Sequence, residues 1–429
     1  MERELGQHQD GEEDVSDGED AMNAESRSPF AGRSVLVCVT GGIAAYKAAA
    51  LVSELVQLGI RVRVVLSAGA RRFIQPLTFQ AITAERVVTD LFDPDHAGVQ
   101  HVELATAHDL VVVAPASANT IARLARGAAD DVVAATVLAS PAPVLVAPAM
   151  ESTMWEKPPT QRNVEQIAAD GMTIVPPATG RLASGAHGVG RMAEPASITR
   201  HVRHALGAHG DLAGRSMLIT AGGTREAVDP VRTLTNRSSG LMGRAVAAAA
   251  RDRGAEVTLV TTAAAETEPG ITPIDVESAA GMAHAVREHL PGRDALIMSA
   301  AVADFRPSAP AVAKIKKAGR PGLTIELEPT DDILASVAAG GDGWPRPPVV
   351  VGFAAETERL REGARRKLAT KRLDLIAANA VGSDRRPFGA ARVALTLIDR
   401  TGREESLPEL SKEQAAHRLL DRVKALLGA

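Results

Sequence analysis

Ser216-Met-Leu-Ile-Thr220-Ala-Gly222-Gly223-Thr-Arg-Glu226, followed by Arg232-Thr-Leu-Thr-Asn236-Arg-Ser-Ser-Gly240-Leu-Met-Gly243, reads as a buried strand, a glycine turn and the mouth of a helix. Gly222 and Gly223 permit close backbone approach, and the polar turn opens a helix that starts near Ser239. The first amides of that helix and Arg232 would then face one anion. An ordinary strand, loop and helix accounts for the glycines alone. The whole string points to a phosphate-rich ligand.

Around this segment the chain alternates short apolar runs with amphipathic stretches. In the second half the strands are Ser216 to Thr220, Glu256 to Thr261, Ala295 to Ser299, Pro348 to Val351 and Leu373 to Ala377. In the first half they are Ser34 to Val39, Arg61 to Leu66, Asp109 to Ala114 and Val144 to Ala147, with a helix from Ala44 to Leu58. Leu110-Val-Val-Val113 shows no polar alternation, as expected for parallel strands covered on both faces. The fold class is α/β, with two doubly wound parallel-sheet domains in tandem. The expected divisions are a disordered acidic tail over 1–29, a first domain over 30–206, a linker over 207–213 and a second domain over 214–429.

At 429 residues the chain exceeds what one core usually supports, and 45% hydrophobic content suffices for two. A net charge of -4 argues against nucleic acid as a bulk partner, so any anion site is local. The single cysteine, Cys38, sits in a strand pattern and excludes an internal disulfide framework, which fits a reducing cytoplasm. The first 28 residues have neither a basic start nor an apolar run, so they read as neither signal peptide nor membrane span. No segment approaches the roughly 18 apolar residues of a spanning helix.

A dinucleotide reading is the main rival, and the sequence opposes it. Thr40-Gly-Gly-Ile43 stands where a G-x-G-x-x-G fingerprint would, and the second strands end in Ser67 and in Thr261-Thr262, without the acid that grips a ribose. A mononucleotide suits both halves better. Gly41 and Gly42 let amides reach a phosphate at the start of the following helix, and Ser117 with Asn119 follow a buried strand at its carboxyl end. Ser117 and Asn119 also suit the cap of a helix from Thr120.

The second half resembles phosphopantothenate-cysteine ligase. Besides the opening string, Ala300-Ala-Val-Ala-Asp-Phe305, Lys314-Ile-Lys-Lys317, Val351-Gly-Phe-Ala-Ala-Glu-Thr357, Lys367 and Lys371 fit it in order. The resemblance implies that the carboxylate of 4'-phosphopantothenate attacks the α-phosphate of CTP, and that the cysteine amine captures the acyl-cytidylate. Carried over by position, Lys314 stabilises charge at the α-phosphate, Asn236 holds the acyl-cytidylate and Arg232 grips phosphate. Gly222, Gly223, Ala300, Asp304, Asp332, Ile333, Phe353, Lys367 and Lys371 bind CTP and substrate, with Mg2+ as the divalent ion and its ligands unspecified. Thr330-Asp-Asp-Ile333 departs from the family's Asn-Pro-Asp-Ile type turn. Lys314 to Lys317 also suits a plain solvated loop.

The first half, from about Arg33 to Pro195, resembles the FMN-dependent cysteine decarboxylases, phosphopantothenoylcysteine decarboxylase among them. The resemblance rests on Gly41-Gly-Ile-Ala-Ala-Tyr-Lys47, Ala114-Pro-Ala-Ser-Ala-Asn-Thr120, Pro148-Ala-Met150 and Gly188-Val-Gly-Arg-Met192. It implies a flavodoxin-like fold, FMN at subunit contacts held by Gly42, Ile43, Ser67, Ser117, Asn119 and Met150, and His101 as catalytic base or orienter. Two positions depart from the family: Glu151 replaces asparagine, and Ser184 replaces the cysteine that acts as acid. A thiol with a pKa near 8.5 donates a proton far more readily than a hydroxyl, so His187, Glu151 or water is a rival donor.

The leading expectation is therefore a bifunctional coenzyme A biosynthesis enzyme, a homo-oligomer of flavin-domain trimers joined by ligase dimers. A working ligase fused to a degenerate, regulatory flavin domain is the alternative. A nicotinamide oxidoreductase is a third class, disfavoured by the missing ribose acids.

Overall fold

The computed structural model describes residues 28–92, 99–263, 268–317, 322–341, 343–356, 359–380 and 391–428. Of the expected disordered tail over 1–29, residues 1–27 lie outside the described residues.

The first sheet contains β1 (Ser34–Val39), β2 (Arg61–Leu66), β3 (Leu110–Ala116), β4 (Val144–Pro148) and β5 (Thr173–Ile174). They lie in the order β2-β1-β3-β4-β5 with every pairing parallel, the flavodoxin-like arrangement. Every residue of β3 and β4 is buried, which is why these runs lack polar alternation. α1 (Ala45–Gln57) covers one face through Ala45, Ala48, Leu51, Val52 and Leu55, a helical stripe at i, i+3 and i+4 spacing. α2 (Gln100–Thr106) precedes β3, and α3 (Ala118–Ala125) follows it. A hairpin of Ala178–Arg181 with His187–Arg191 stands apart from the sheet, and α4 (Pro195–Gly207) closes this half.

The second sheet contains β6 (Ser216–Ala221), β7 (Glu256–Thr261), β8 (Ile271–Asp275), β9 (Ala295–Met298), β10 (Val349–Glu356), β11 (Leu375–Ala380), β12 (Thr396–Asp399) and β13 (Glu404–Ser406). Their order is β8-β7-β6-β9-β10-β11-β12-β13, parallel through β11 and antiparallel at the last two. The first six strands have the Rossmann order, whose topological switch point lies between β6 and β9. α5 (Leu241–Asp252) and α8 (Lys412–Leu427) pack in one core cluster of this sheet, and α6 (Ile333–Ala339) and α7 (Leu360–Thr370) in another.

Several boundaries shift by a residue or two from the sequence reading, and two of the differences have a visible cause. β10 runs on past Val351 to Glu356 because Gly352 is not a breaker: a Cβ there would come 2.6 Å from Leu373 Cδ1, so the glycine makes room for packing. β11 starts two residues after Leu373, because Asp374 is buried as a cap that accepts from Val350 N at 2.8 Å and pairs with Arg346 and Arg400.

The segment read as a linker is tightly held. A Cβ on Gly207 would meet the Asp252 carbonyl oxygen at 2.4 Å, and one on Gly210 the Arg253 carbonyl oxygen at 2.5 Å. Arg253 pairs with Asp211 at 2.7 Å and Asp421 at 2.8 Å, and Arg203 of α4 bridges Asp252 and Glu413. The Arg253 hydrogen bonds hold the Asp211 carboxyl down to about 2.

Candidate functional site

The carboxyl ends of β9, β10 and β11 open onto a cleft of about 520 Å³. It lies where open α/β sheets bind ligands, at the switch point. Along it the fold gathers Asn236, Ala300, Asp304, Asp332, Ile333, Phe353, Lys367 and Lys371, together with the first turn of α5, Gly240 to Gly243. These residues come from five separate segments of chain, and the sheet topology brings them together.

Each segment is pinned from below. Thr220 Oγ1 accepts from Ala300 N at 3.1 Å, and Thr224 Oγ1 accepts from Ala303 N at 2.9 Å. The loop after β9 is thus held by hydroxyls at the end of β6. Asn236 donates from Nδ2 to the Val302 carbonyl at 3.0 Å, which places it against the same loop. Asp332 caps α6, accepting from Ala335 N at 3.0 Å, and pairs with Lys371 at 2.7 Å. Burial pushes the Asp332 carboxyl up, but Lys371 and the Ala335 amide outweigh it and hold it below the usual range. Lys367 donates to the Phe353 carbonyl at 2.7 Å. The lysines therefore stand on one side of the cleft, spaced by four residues, Lys367 in the last turn of α7 and Lys371 at its C-cap.

Four predicted residues do not line this cleft in the conformation described. Gly222 and Gly223 meet the protein's own backbone and side chains: added Cβ atoms would come 2.1 Å from Thr262 Oγ1 and 2.8 Å from the Asn236 carbonyl. Arg232 donates to Asp229 at 2.8 Å and to the Ile315 carbonyl at 3.1 Å, so it holds the lysine segment. Lys314 is exposed on that segment. Sequence reading missed the pinning threonines and Asp229. Thr220 and Thr224 lie inside the quoted opening string, where they read as strand and loop filler.

In the first half, β1 and β3 end side by side. Thr40 Oγ1 donates to the Pro115 carbonyl at 2.7 Å and accepts from Ser117 N at 3.0 Å. A Cβ on Gly41 would sit 3.0 Å from Gly69, so the loops after β1 and β2 touch, and Ser67 Oγ accepts from Ala70 N at 3.2 Å. Gly42 has open space where its Cβ would be, and Ile43 is 61% exposed. Ser117 caps α3, accepting from Thr120 N at 3.3 Å, so the capping reading holds for Ser117 alone: the helix begins at Ala118 and not at Thr120, and Asn119 is an exposed residue within it. This shallow cradle, with free glycine backbone and two helix starts at a switch point, fits a flavin mononucleotide.

Met150 N donates to the Gly190 carbonyl at 2.9 Å, which docks the hairpin on the end of β4. Ser184 is exposed at the hairpin tip and accepts from Ala186 N at 3.2 Å; His187 is exposed beside it. Glu151 is half-buried before the turn Ser152–Trp155. His101 is half-buried on α2 and makes no hydrogen bond to a described residue. Neither His101 nor Ser184 is bonded to the cradle among the described residues. Cys38 is buried, and burial pushes its thiol up to about 12, which makes it a packing residue.

The flavoprotein family model matches residues 23–207, and the model for the DNA/pantothenate metabolism flavoprotein C-terminal domain matches residues 212–427. The coenzyme A biosynthesis bifunctional protein CoaBC of Bacillus subtilis (strain 168) is 43% identical over 399 residues, covering 92% of this chain and 97% of its own. That of Mycobacterium bovis is 45% identical over 407 residues, with 92% and 97% covered. A crystal structure of the C-terminal domain of a CoaBC protein is 37% identical and covers 51% of this chain and 98% of its own, with a TM-score of 0.43. Matched across both halves, the chain belongs to the family of bifunctional coenzyme A biosynthesis proteins, CoaBC.

Proposed function

We infer that the second half joins 4'-phosphopantothenate to cysteine at the expense of CTP, and that the first half then decarboxylates phosphopantothenoylcysteine to 4'-phosphopantetheine with FMN. The observation that carries this reading is the switch-point cleft that gathers Asn236, Asp304, Phe353, Lys367 and Lys371 on one surface. We assign the domain bounds 30–206 and 214–429, joined by 207–213.

In the ligation, a carboxylate oxygen of phosphopantothenate bonds to the α-phosphorus of CTP, and pyrophosphate leaves. The cysteine amine then attacks the acyl carbon, losing a proton as CMP departs. Two anions must meet in the first step, so positive charge has to be in place beforehand. Lys367, Lys371 and the α5 amides supply it along the cleft, and Lys314 adds it at the α-phosphate. Asn236, anchored on Val302, holds the acyl-cytidylate until cysteine arrives. Mg2+ enters with the triphosphate: among the described residues the one cluster able to hold a metal, Asp252, Glu413 and His417, lies at the domain junction, and Arg203 and Arg251 already occupy Asp252.

In the decarboxylation, bound FMN supplies the two-electron oxidation of the substrate thiol and the matching reduction. Gly42, Ile43, Ser67, Ser117, Asn119 and Met150 hold it. His101 orients the substrate carboxylate, and the hairpin carrying Ser184 and His187 covers the substrate. Apolar side chains exposed near this cradle, Ile43 at 61%, Tyr46 at 62% and Leu77 at 71%, favour a partner subunit completing the site. No helix among the described residues is long and apolar enough to cross a membrane, and we assign the enzyme to the cytoplasm.

The test is a mass analysis of products from protein given phosphopantothenate, cysteine, CTP and magnesium. The reading expects 4'-phosphopantetheine, CMP and pyrophosphate. Accumulation of phosphopantothenoylcysteine with flavin bound would leave the first half without its assigned role.

A further inference from the structure

The lysine segment Lys314 to Lys317 is held to the rest of the protein by an unusual fastening. Asp229 has a fully buried side chain and lies in the turn between strands Arg225–Ala227 and Thr233–Thr235. Its two oxygens do different work. Oδ1 accepts from Val231 N at 2.8 Å and Arg232 N at 2.9 Å, which closes the local turn. Oδ2 accepts from Arg232 Nη1 at 2.8 Å and, across 86 positions of sequence, from Ile315 N at 3.1 Å. Arg232 Nη1 in turn donates to the Ile315 carbonyl at 3.1 Å. Both backbone groups of Ile315 are thus taken by one carboxylate and one guanidinium, and Ala311 N adds a bond to the Val228 carbonyl at 3.0 Å. Lys314 and Lys316 flank this fastening and are exposed.

We propose that Asp229 is a positioning residue for ligation: through Ile315 it fixes the lysine segment to the Arg225–Thr235 hairpin, so that Lys314 reaches the α-phosphate in register with Asn236 on the same hairpin's outgoing arm. The proposal rests on the role given to Lys314 above. A buried carboxylate satisfied by four donors is rigid, and a backbone amide bonded to it cannot drift without leaving a buried charge underused. Displacing a transition-state charge by an ångström is enough to cost about 100-fold in rate.

Asp229→Asn separates the two jobs. Its amide oxygen keeps the turn through Val231 and Arg232, while its NH2 faces the Ile315 N–H and the guanidinium, donor against donor, and releases the lysine segment. Two measurements on the full-length protein decide the matter. First, trypsin cleavage after Lys314 is followed by fragment mass under native conditions. The Lys314–Ile315 bond is shielded by the fastening, so Asp229→Asn should be cut there at least about tenfold faster at an unchanged melting temperature and flavin content. Equal cleavage overturns the fastening, whatever Lys314 does in catalysis. Second, a double-variant cycle with Lys314→Gln is read as the rate of acyl-cytidylate formation. Asp229→Asn alone should lower kcat by about 10- to 100-fold with little change in CTP affinity, and should add less than about threefold in the Lys314→Gln background. Losses that multiply would overturn the positioning role. If Lys314→Gln itself ligates normally, the assigned role of Lys314 fails, and faster cleavage of Asp229→Asn still upholds the fastening.

Discussion

Replacing Gly243 with alanine tests whether the nucleotide cleft depends on how closely α5 lies on β6. Gly243 is the third residue of α5, and an added Cβ would stand 2.6 Å from Ala221 Cβ, 2.7 Å from the Thr220 carbonyl oxygen and 3.0 Å from Ala221 Cα. Carbon atoms pack best at about 3.5 to 4.0 Å, so the helix start must retreat by roughly an ångström. Overpacking of this kind costs about 1 to 3 kcal/mol, while alanine for glycine in a helix returns at most about 1 kcal/mol. The clash wins, with a net loss of up to about 3 kcal/mol and a fall in melting temperature of a few degrees. Function should suffer more than stability, because Gly240 to Gly243 line the cleft and a shift of about 1 Å can cost about 100-fold. Ligation is measured as CMP release, with decarboxylation of supplied phosphopantothenoylcysteine as an internal control. The expected result is slow ligation with decarboxylation intact. A variant that ligates normally and melts higher would refute the close contact and with it the argument that α5 shapes the site.

Lys371→Met should raise KM for CTP about 10- to 100-fold, the worth of a hydrogen bond to a charged group, with FMN content and decarboxylation unchanged. Ser184→Cys should raise the yield of phosphopantetheine over oxidised enethiol if Ser184 is a poor donor; if the wild type is already clean, His187→Ala or Glu151→Gln should release the enethiol, and product mass distinguishes these. Burial pushes the His108 and His417 imidazoles below their ordinary value, in His417 against the pull of Asp252 and Glu413. The unfolded chain therefore binds protons that the fold refuses as pH drops below about 6.5, and stability falls there by at most about 1.4 kcal/mol per pH unit for each histidine. Urea midpoints at pH 7.5 and 5.5 measure this, and His417→Gln should flatten the drop.

Strand positions were legible because parallel strands buried on both faces leave nearly continuous apolar runs, as in Leu110 to Val113 and Ser216 to Thr220. One helix cap was legible, Ser117, although its helix begins at Ala118 and not at Thr120. Long-range fastenings were not. Asp229 reads as one acid in a turn until the fold brings Ile315 to it, and Gly352 reads as a strand end until Leu373 fills its missing side chain. Arg232 reads as a phosphate grip in the sequence, which shows its charge and not the Asp229 and Ile315 partners that the fold gives it. The antiparallel strands β12 and β13 escaped notice because strands of three or four residues carry too little pattern.

The central claim, that the switch-point cleft activates a carboxylate with CTP, is tested most directly by withholding cysteine. Protein incubated with CTP, magnesium and 4'-phosphopantothenate, then denatured and analysed by mass spectrometry, should release 4'-phosphopantothenoyl-CMP with an equal amount of pyrophosphate. Finding CDP and an acyl phosphate, or unreacted CTP alone in protein that still ligates when cysteine is added, would contradict it.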